Sequence, residues 1–346
     1  NWRRLKQKKL DFEMGTWNVR TLMRTGALKD ILLQITTYKL DIIAIQETRW
    51  TGQQIWDTKD FTIFSSGRHK QREGGVAFII INTLKHCIVG FEPVDNRICV
   101  LRIKTRFFNI AVITLYAPTE EKAEEVKDTF YQKLEQVYDR IPSNDIKIII
   151  GDANAKVGKE EIYKGTIGNH SLHQESNDNG LRLIDLAGSK DMRISSTYFP
   201  HKNIHKGTWI SPDQKTLNQI DHVLIENGGA SSIMDVRSFR GACCGSDHFL
   251  VKTTFRARIK KALRDPNLKT IPLDFIKLQD PEVRKKYQSE ITKKINNMEE
   301  QERDTDANRI EEYWYKLKTE LLETAKEVIG EKPKKEMNPW LDNECR

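Results

Sequence analysis

The chain has 346 residues, 38% of them apolar and 31% charged, with a net charge of +8. That length suits one large domain plus an appendage, and no run approaches the roughly 20 apolar residues that a membrane helix needs. The cysteines (Cys87, Cys99, Cys243, Cys244 and Cys345) form no C-x-x-C pair, which argues against a zinc site and for reduced thiols inside a cell.

In chain order, residues 1–10 form a basic arm carrying Arg3, Arg4, Lys6, Lys8 and Lys9. The chain opens on Asn1 rather than Met, so the expectation is a fragment of a longer reading frame. Apolar runs of strand length, rich in Ile, Val and Phe, follow at 12–17, 41–46, 61–65, 75–81, 87–91, 98–103, 107–115, 146–150, 194–196, 219–224 and 250–255. Helical patterns intervene at 26–38, 120–140 and 178–190, with Glu120 and Glu121 expected in the first turn of the second helix, where acidic groups favour the dipole. Single helices between strands, plus a hairpin-rich middle, predict an α/β fold with mixed sheets over residues 11–256.

Past residue 256 the texture changes to a linker and a charged helical extension, 257–346, with helices expected at 282–303 and 308–329. In the second helix, Ile310, Trp314, Leu317, Leu321, Ala325 and Val328 are spaced as one apolar stripe. Residues 259–346 hold 19 basic and 19 acidic side chains, so the whole positive excess lies before them. A basic balance suits a polyanionic partner.

The residues that carry chemistry stand at the ends of the apolar runs. Asp152 and Asn154 follow Ile148-Ile149-Ile150-Gly151, and Glu47 follows Ile42-Ile43-Ala44-Ile45-Gln46. A carboxylate beside a carboxamide can take a proton from a water and hold it, and a lone strand-end carboxylate is a natural ligand for a hard cation such as magnesium. Each has an ordinary alternative: a turn at Asp152–Asn154, and an ion pair between Glu47 and Arg49. Asn18, in Gly15-Thr16-Trp17-Asn18, and Tyr116, in Leu115-Tyr116-Ala117-Pro118, also end strands. A helix cap and a core or rim tyrosine are their ordinary alternatives.

His248, in Gly245-Ser246-Asp247-His248, can protonate a leaving group if a carboxylate fixes its tautomer, and Asp247 and Asp221 both qualify for that role. Most of the other seven histidines lie in polar loops and are expected to be solvated. Two cationic loops, Arg68, Lys70 and Arg72 before Gly74-Gly75 and His201, Lys202, His205 and Lys206 before Trp209, are expected to contact the phosphates of double-stranded DNA, a solvated loop being the ordinary alternative for each.

In order, Gly15-Thr16-Trp17-Asn18-Val19-Arg20, Gln46-Glu47-Thr48, Leu115-Tyr116-Ala117-Pro118, Gly151-Asp152-Ala153-Asn154, Thr208-Trp209, Gln219-Ile220-Asp221-His222 and Ser246-Asp247-His248 resemble the motif series of the exonuclease–endonuclease–phosphatase superfamily. Within it the chain most resembles the endonuclease of RTE-type non-LTR retrotransposons and its domesticated relatives. The tail from Asn338 to Cys345 resembles the segment before their reverse transcriptase.

The resemblance implies a four-layer sandwich, two β-sheets face to face with helices outside. It implies an Mg²⁺-dependent DNA endonuclease (Mn²⁺ as a substitute ion) with Glu47 on the metal, Asn18 near it and Asp247 beside it. Asp152 would activate the attacking water, Asn154 would position it, and His248, oriented by Asp221, would stabilise the transferring phosphoryl group. Tyr116 would contact the scissile phosphate. A nuclear location and a reverse transcriptase or protein partner on the C-terminal helices complete the expectation. The loops that would grip an abasic site are not recognisable. The rival readings are a phosphatase of the same superfamily acting on inositol phosphates or phospholipids, and a domesticated, non-catalytic binding protein.

Overall fold

The computed structural model describes residues 11–105, 108–256, 273–301 and 309–330. The basic arm, the tail and the basic segment around Lys332–Lys335 lie outside the described residues. The chain divides into two compact units, 1–260 and 261–346.

Two mixed β-sheets make up the first unit. One contains β1 (Phe12–Asn18), β2 (Ile42–Gln46), β3 (Gln53–Asp57), β4 (Phe61–Ser66) and β5 (Val76–Ile81), joined by β14 (Ile233–Phe239) and β15 (Leu250–Phe255). The other contains β6 (Ile88–Pro93), β7 (Ile98–Lys104), β8 (Asn109–Tyr116), β9 (Ile146–Asp152), β10 (Met192–Ile194) and β13 (Asp221–Glu226). Their orders are β14-β15-β1-β2-β5-β4-β3 and β10-β13-β9-β8-β7-β6. A short hairpin of β11 (Trp209–Ile210) and β12 (Leu217–Asn218) stands apart.

Each sheet has one parallel pair near its centre, β1 with β2 and β8 with β9. Of these strands β2, β8 and β9 are rich in Ile and Val because both faces are covered. The inward faces meet in a core that includes Ile42, Phe78, Val112, Ile148 and Val223. Outside one sheet, Ile31 and Ile35 of α1 (Ala27–Thr37) pack on Ile43, Ile45 and Ile79. Outside the other, α2 (Glu124–Arg140) and α3 (Asp178–Ser189) cover Ile113 and Ile149 with Leu134, Val137, Leu183 and Ile184. The result is the expected four-layer sandwich. Each fully buried Ile contributes about 1.5–3 kcal/mol, so the layers are held chiefly by apolar burial.

The two sheets are also joined by a polar bridge. Gln46, fully buried, donates to Thr16 Oγ1 and to Thr114 Oγ1, both at 3.0 Å, the latter across the sheet interface.

Several sequence expectations are corrected. β3 was not foreseen, because Gln53–Asp57 is largely exposed and lacks an apolar run. β14 was missed as well, since Met234, Asp235, Arg237 and Ser238 dilute it and a register shift interrupts it. The strand expected at 194–196 ends at Ile194 and continues as a 3₁₀ turn. Glu120 lies before α2 rather than in its first turn. Its carboxylate accepts from the Asp178 and Asn179 backbone N–H groups, at 3.1 and 3.2 Å, so it serves the N-terminus of α3.

In the second unit, α4 (Pro281–Gln301) and α5 (Arg309–Val328) are linked by Lys294 Nζ to a Glu320 carboxylate oxygen at 3.1 Å. Of the expected apolar stripe, Ala325 is buried and Trp314 is 58% exposed. Among the described residues, no helix is long and apolar enough to cross a membrane.

Candidate active site

Strand register brings the motif residues to one end of the sandwich. Parallel pairing sets Asn18 beside Gln46 on one sheet and Tyr116 beside Asp152 on the other, and antiparallel pairing sets Asp221 beside Asp152. His248 lies two residues before β15 and bridges to Trp209. A cleft of about 470 Å³ opens there, lined by Glu47, Tyr116, Asp152, Asn154, Asp247 and His248 among others.

The turns that present these groups are tight. Gly151 has φ +149°, and a Cβ there would stand 2.1 Å from Leu115 O, so only glycine lets β8 and β9 close up at the cleft. Arg20, Glu47, Arg49 and Asn154 all adopt left-handed φ (58°, 56°, 57° and 47°) without being glycine. Each such residue costs on the order of 1–3 kcal/mol, and their clustering at one cleft marks a site whose geometry the rest of the fold enforces.

Asn18 Nδ2 donates to Glu47 at 2.9 Å and to Asp152 at 2.8 Å, while its Oδ1 accepts from the Arg20 backbone N–H at 3.0 Å. Asn18 is thus a bracket that holds two carboxylates together, which is more specific than the expected place near a metal. Asp152 Oδ1 accepts from the Asn154 N–H at 3.0 Å, and the Asn154 carboxamide is fixed by donating to Ala117 O at 2.9 Å. Tyr116 lines the cleft with Glu47, and Arg97 stacks 4.8 Å over its ring. Burial, followed by the charges of Glu47 and Asp152, raises the Tyr116 pKa and keeps it a neutral donor.

His248 Nδ1 lies 3.0 Å from Asp221 Oδ2, and its Nε2 lies 3.8 Å from Asp152 Oδ2. The sequence left Asp221 and Asp247 open as orienting groups; the geometry selects Asp221. Burial by itself favours the neutral imidazole, but Asp221 and then Asp152 outweigh it, so the His248 pKa is raised. Burial raises the Asp152 pKa, with His248 pulling the other way.

Asp247 sits at the rim. Trp209 Nε1 donates to its Oδ2 at 3.1 Å, and Arg20 Nε stands 3.8 Å from Oδ1, which has no hydrogen-bond partner. Asp152, Asp221 and His248 offer donor atoms within 4.8 Å of one another. Glu47, Asp152 and Asp247 line the same cleft with carboxylate oxygens, the kind of donor a hard divalent ion favours, and Asp221 Oδ1 and Asp247 Oδ1 are both without a hydrogen-bond partner. The Glu47–Arg49 ion pair, at 3.6 Å, is present too.

Other expectations fare unevenly. Arg68, Lys70, Arg72 and Lys202 are exposed. Arg68 is tied to Gln71 at 2.6 Å and Glu73 at 3.4 Å. Lys206 is half-buried and lines a small cavity together with Asp221. Only His69 and His86 of the other seven histidines are exposed. His222, fully buried, bonds to Ser196 Oγ and Ala155 O, both at 2.8 Å, and is structural.

Three supporting residues were not foreseen. Thr208 Oγ1 accepts from the Ile220 and Asp221 N–H groups, Ser246 Oγ donates to Asn18 O, and Asn179 Nδ2 donates to Asn154 O. Thr208 and Ser246 stood inside quoted motifs, which was a usable signal; Asn179 carried none.

The endonuclease/exonuclease/phosphatase family model matches residues 15–267. The chain belongs to that family. It is 34% identical over 252 residues to craniofacial development protein 2 of Tragulus javanicus, an alignment covering 73% of this chain and 43% of that protein. The chain therefore spans under half the length of that relative. Among solved structures, the endonuclease domain of TRAS1, a telomere-specific non-LTR retrotransposon, matches with TM-score 0.51 and 18% identity over 72% of this chain and all of that domain. The Xenopus laevis APE2 catalytic domain matches with TM-score 0.55 and 18% identity, over 72% of this chain and 95% of that one. These two share the fold.

Proposed function

We propose that the chain is an Mg²⁺-dependent endonuclease that nicks one strand of double-stranded DNA by water attack and leaves a 3′-hydroxyl able to prime reverse transcription. The single observation that carries this reading is the convergence of the Asn18-bracketed Glu47–Asp152 pair with the Asp221–His248 pair on one cleft, where His248 Nε2 and Asp152 Oδ2 are 3.8 Å apart. The likeness to a retrotransposon endonuclease domain supports DNA over an inositol phosphate or a lipid.

Bound by Glu47 with Asp152 and Asp247 beside it, Mg²⁺ would neutralise charge on the scissile phosphate. Asp152 accepts a proton from the attacking water, which Asn154 orients. His248, charged and steadied by Asp221, offers its Nε2–H to a phosphoryl oxygen, and Tyr116 offers its hydroxyl from the opposite sheet. Such aimed donors are typically the largest rate term, about 10²–10³ for one group.

The test is end chemistry. Supercoiled plasmid is nicked with Mg²⁺ and then given a DNA polymerase and labelled nucleotides. Label incorporated directly at the nick supports the reading. Nicks that need prior removal of a 3′-phosphate refute it.

A further inference from the structure

Beside the catalytic cleft, past Arg49, lies a second cleft of about 630 Å³, within the size range of small-ligand sites. Its character is distinct. Arg24, Lys29, Arg49 and Arg72 stand around it with no carboxylate in its lining, while Trp50 and Trp56 line it together with Leu22, Leu28 and Leu32. The catalytic cleft, by contrast, holds Glu47, Glu120, Glu121, Asp152 and Asp247. The two indoles meet edge to face with ring centroids 5.0 Å apart, and both are half-buried. All four cations are exposed, and Met23, also in the lining, is 45% exposed. Two links join this cleft to the catalytic one: the Arg49–Glu47 ion pair at 3.6 Å, and the Leu22 N–H donating to Thr48 O at 3.1 Å.

Arg49 has Glu47 as its partner, but Arg24, Lys29 and Arg72 stand around a lining without a carboxylate; such a set calls for an anion, and phosphates supply it. A concave wall of indole and leucine calls for flat apolar rings, which phosphates alone do not have. A paired duplex keeps its bases stacked inside and presents only groove edges. We infer that this cleft binds unpaired nucleotides of the DNA being cut, with bases against Trp50 and Trp56 and phosphates on Arg24, Lys29 and Arg72. This deepens the endonuclease reading and rests on it: the substrate would be a site where a single-stranded segment adjoins the nicked duplex. Arg72 then holds a single strand rather than the duplex phosphate expected from sequence.

The test is fluorescence anisotropy of a labelled 12-nucleotide oligothymidylate on the wild-type chain in EDTA, where no cutting occurs. Base stacking on aromatic platforms predicts about tenfold or more weaker binding for Trp56→Ala. Lys29→Ala with Arg72→Ala, at exposed positions that leave the fold alone, should lower the single-strand salt slope by about 1.4, roughly 0.7 for each lost phosphate contact. An inorganic polyphosphate of equal charge should compete poorly. Unchanged binding in both variants, or polyphosphate competing as well as the oligomer, overturns the inference. Plasmid nicking with Mg²⁺ is scored separately: a chain that never nicks fails the catalytic reading, while one that nicks but ignores these substitutions fails the cleft alone.

Discussion

Two Asp-His steps, Asp221-His222 and Asp247-His248, are alike in sequence and opposite in use. At the first, the aspartate reaches His248, while the histidine is held at both ring nitrogens by Ser196 and Ala155. At the second, the histidine reaches inward and the aspartate stays at the rim against Trp209. Asp221 and His222 open β13 as successive strand residues and so face opposite sides, whereas Asp247 and His248 stand before β15 and both line the cleft. The working pair is assembled across the two steps, His248 with Asp221, and a dipeptide motif alone cannot reveal that.

Substitutions can break this comparison. His248→Ala should lower the nicking rate by about 10³-fold or more, because it removes the group aimed at the phosphate. Asp221→Asn should cost about 10²-fold, since the amide can no longer hold a charged imidazole, while melting temperature changes little. Steady-state nicking and thermal melts of both variants check these outcomes. His222→Ala inverts the pattern: activity per folded molecule stays within about tenfold, and stability falls by about 2–4 kcal/mol for the lost buried hydrogen bonds and the cavity. Chemical denaturation alongside nicking would show it, and a large rate loss at unchanged stability would refute the structural role of His222.

The smallest effect concerns pH. Burial, with Lys156 next, pushes the pKa of His173 down to about 4, and its Nε2 accepts from the Gln219 N–H at 3.1 Å. The unfolded chain binds this proton below about 6.5 and the folded chain does not, so stability is lost as pH falls from 6.5 toward 4. For this half-buried ring the loss is on the order of 1 kcal/mol after screening. His173→Gln should flatten that limb in melts taken between pH 4 and 7.

The layered fold was legible because buried strands such as Ile146–Asp152 and Val76–Ile81 are nearly unbroken apolar runs. The site was legible as far as strand ends announce themselves. What stayed hidden depends on packing between distant segments. Asn18 reaches Asp152 across 134 residues, and nothing local in Trp17-Asn18-Val19 says that its amide will bracket two carboxylates. Glu120 looked like the first turn of its own helix and instead serves α3, 58 residues on. Nothing in the polar loop around Lys206 says that it will line a cavity together with Asp221.

The central claim is that one cleft hydrolyses a phosphodiester using both Asp152 and a divalent ion. Relaxation of supercoiled plasmid by the wild-type chain and by Asp152→Asn, each in Mg²⁺ and in EDTA, tests it most directly. The account predicts relaxation by the wild type in Mg²⁺ alone, and about 10³-fold slower relaxation by a variant that melts at or above the wild-type temperature. Relaxation that persists in EDTA, or in the variant at near the wild-type rate, would contradict it.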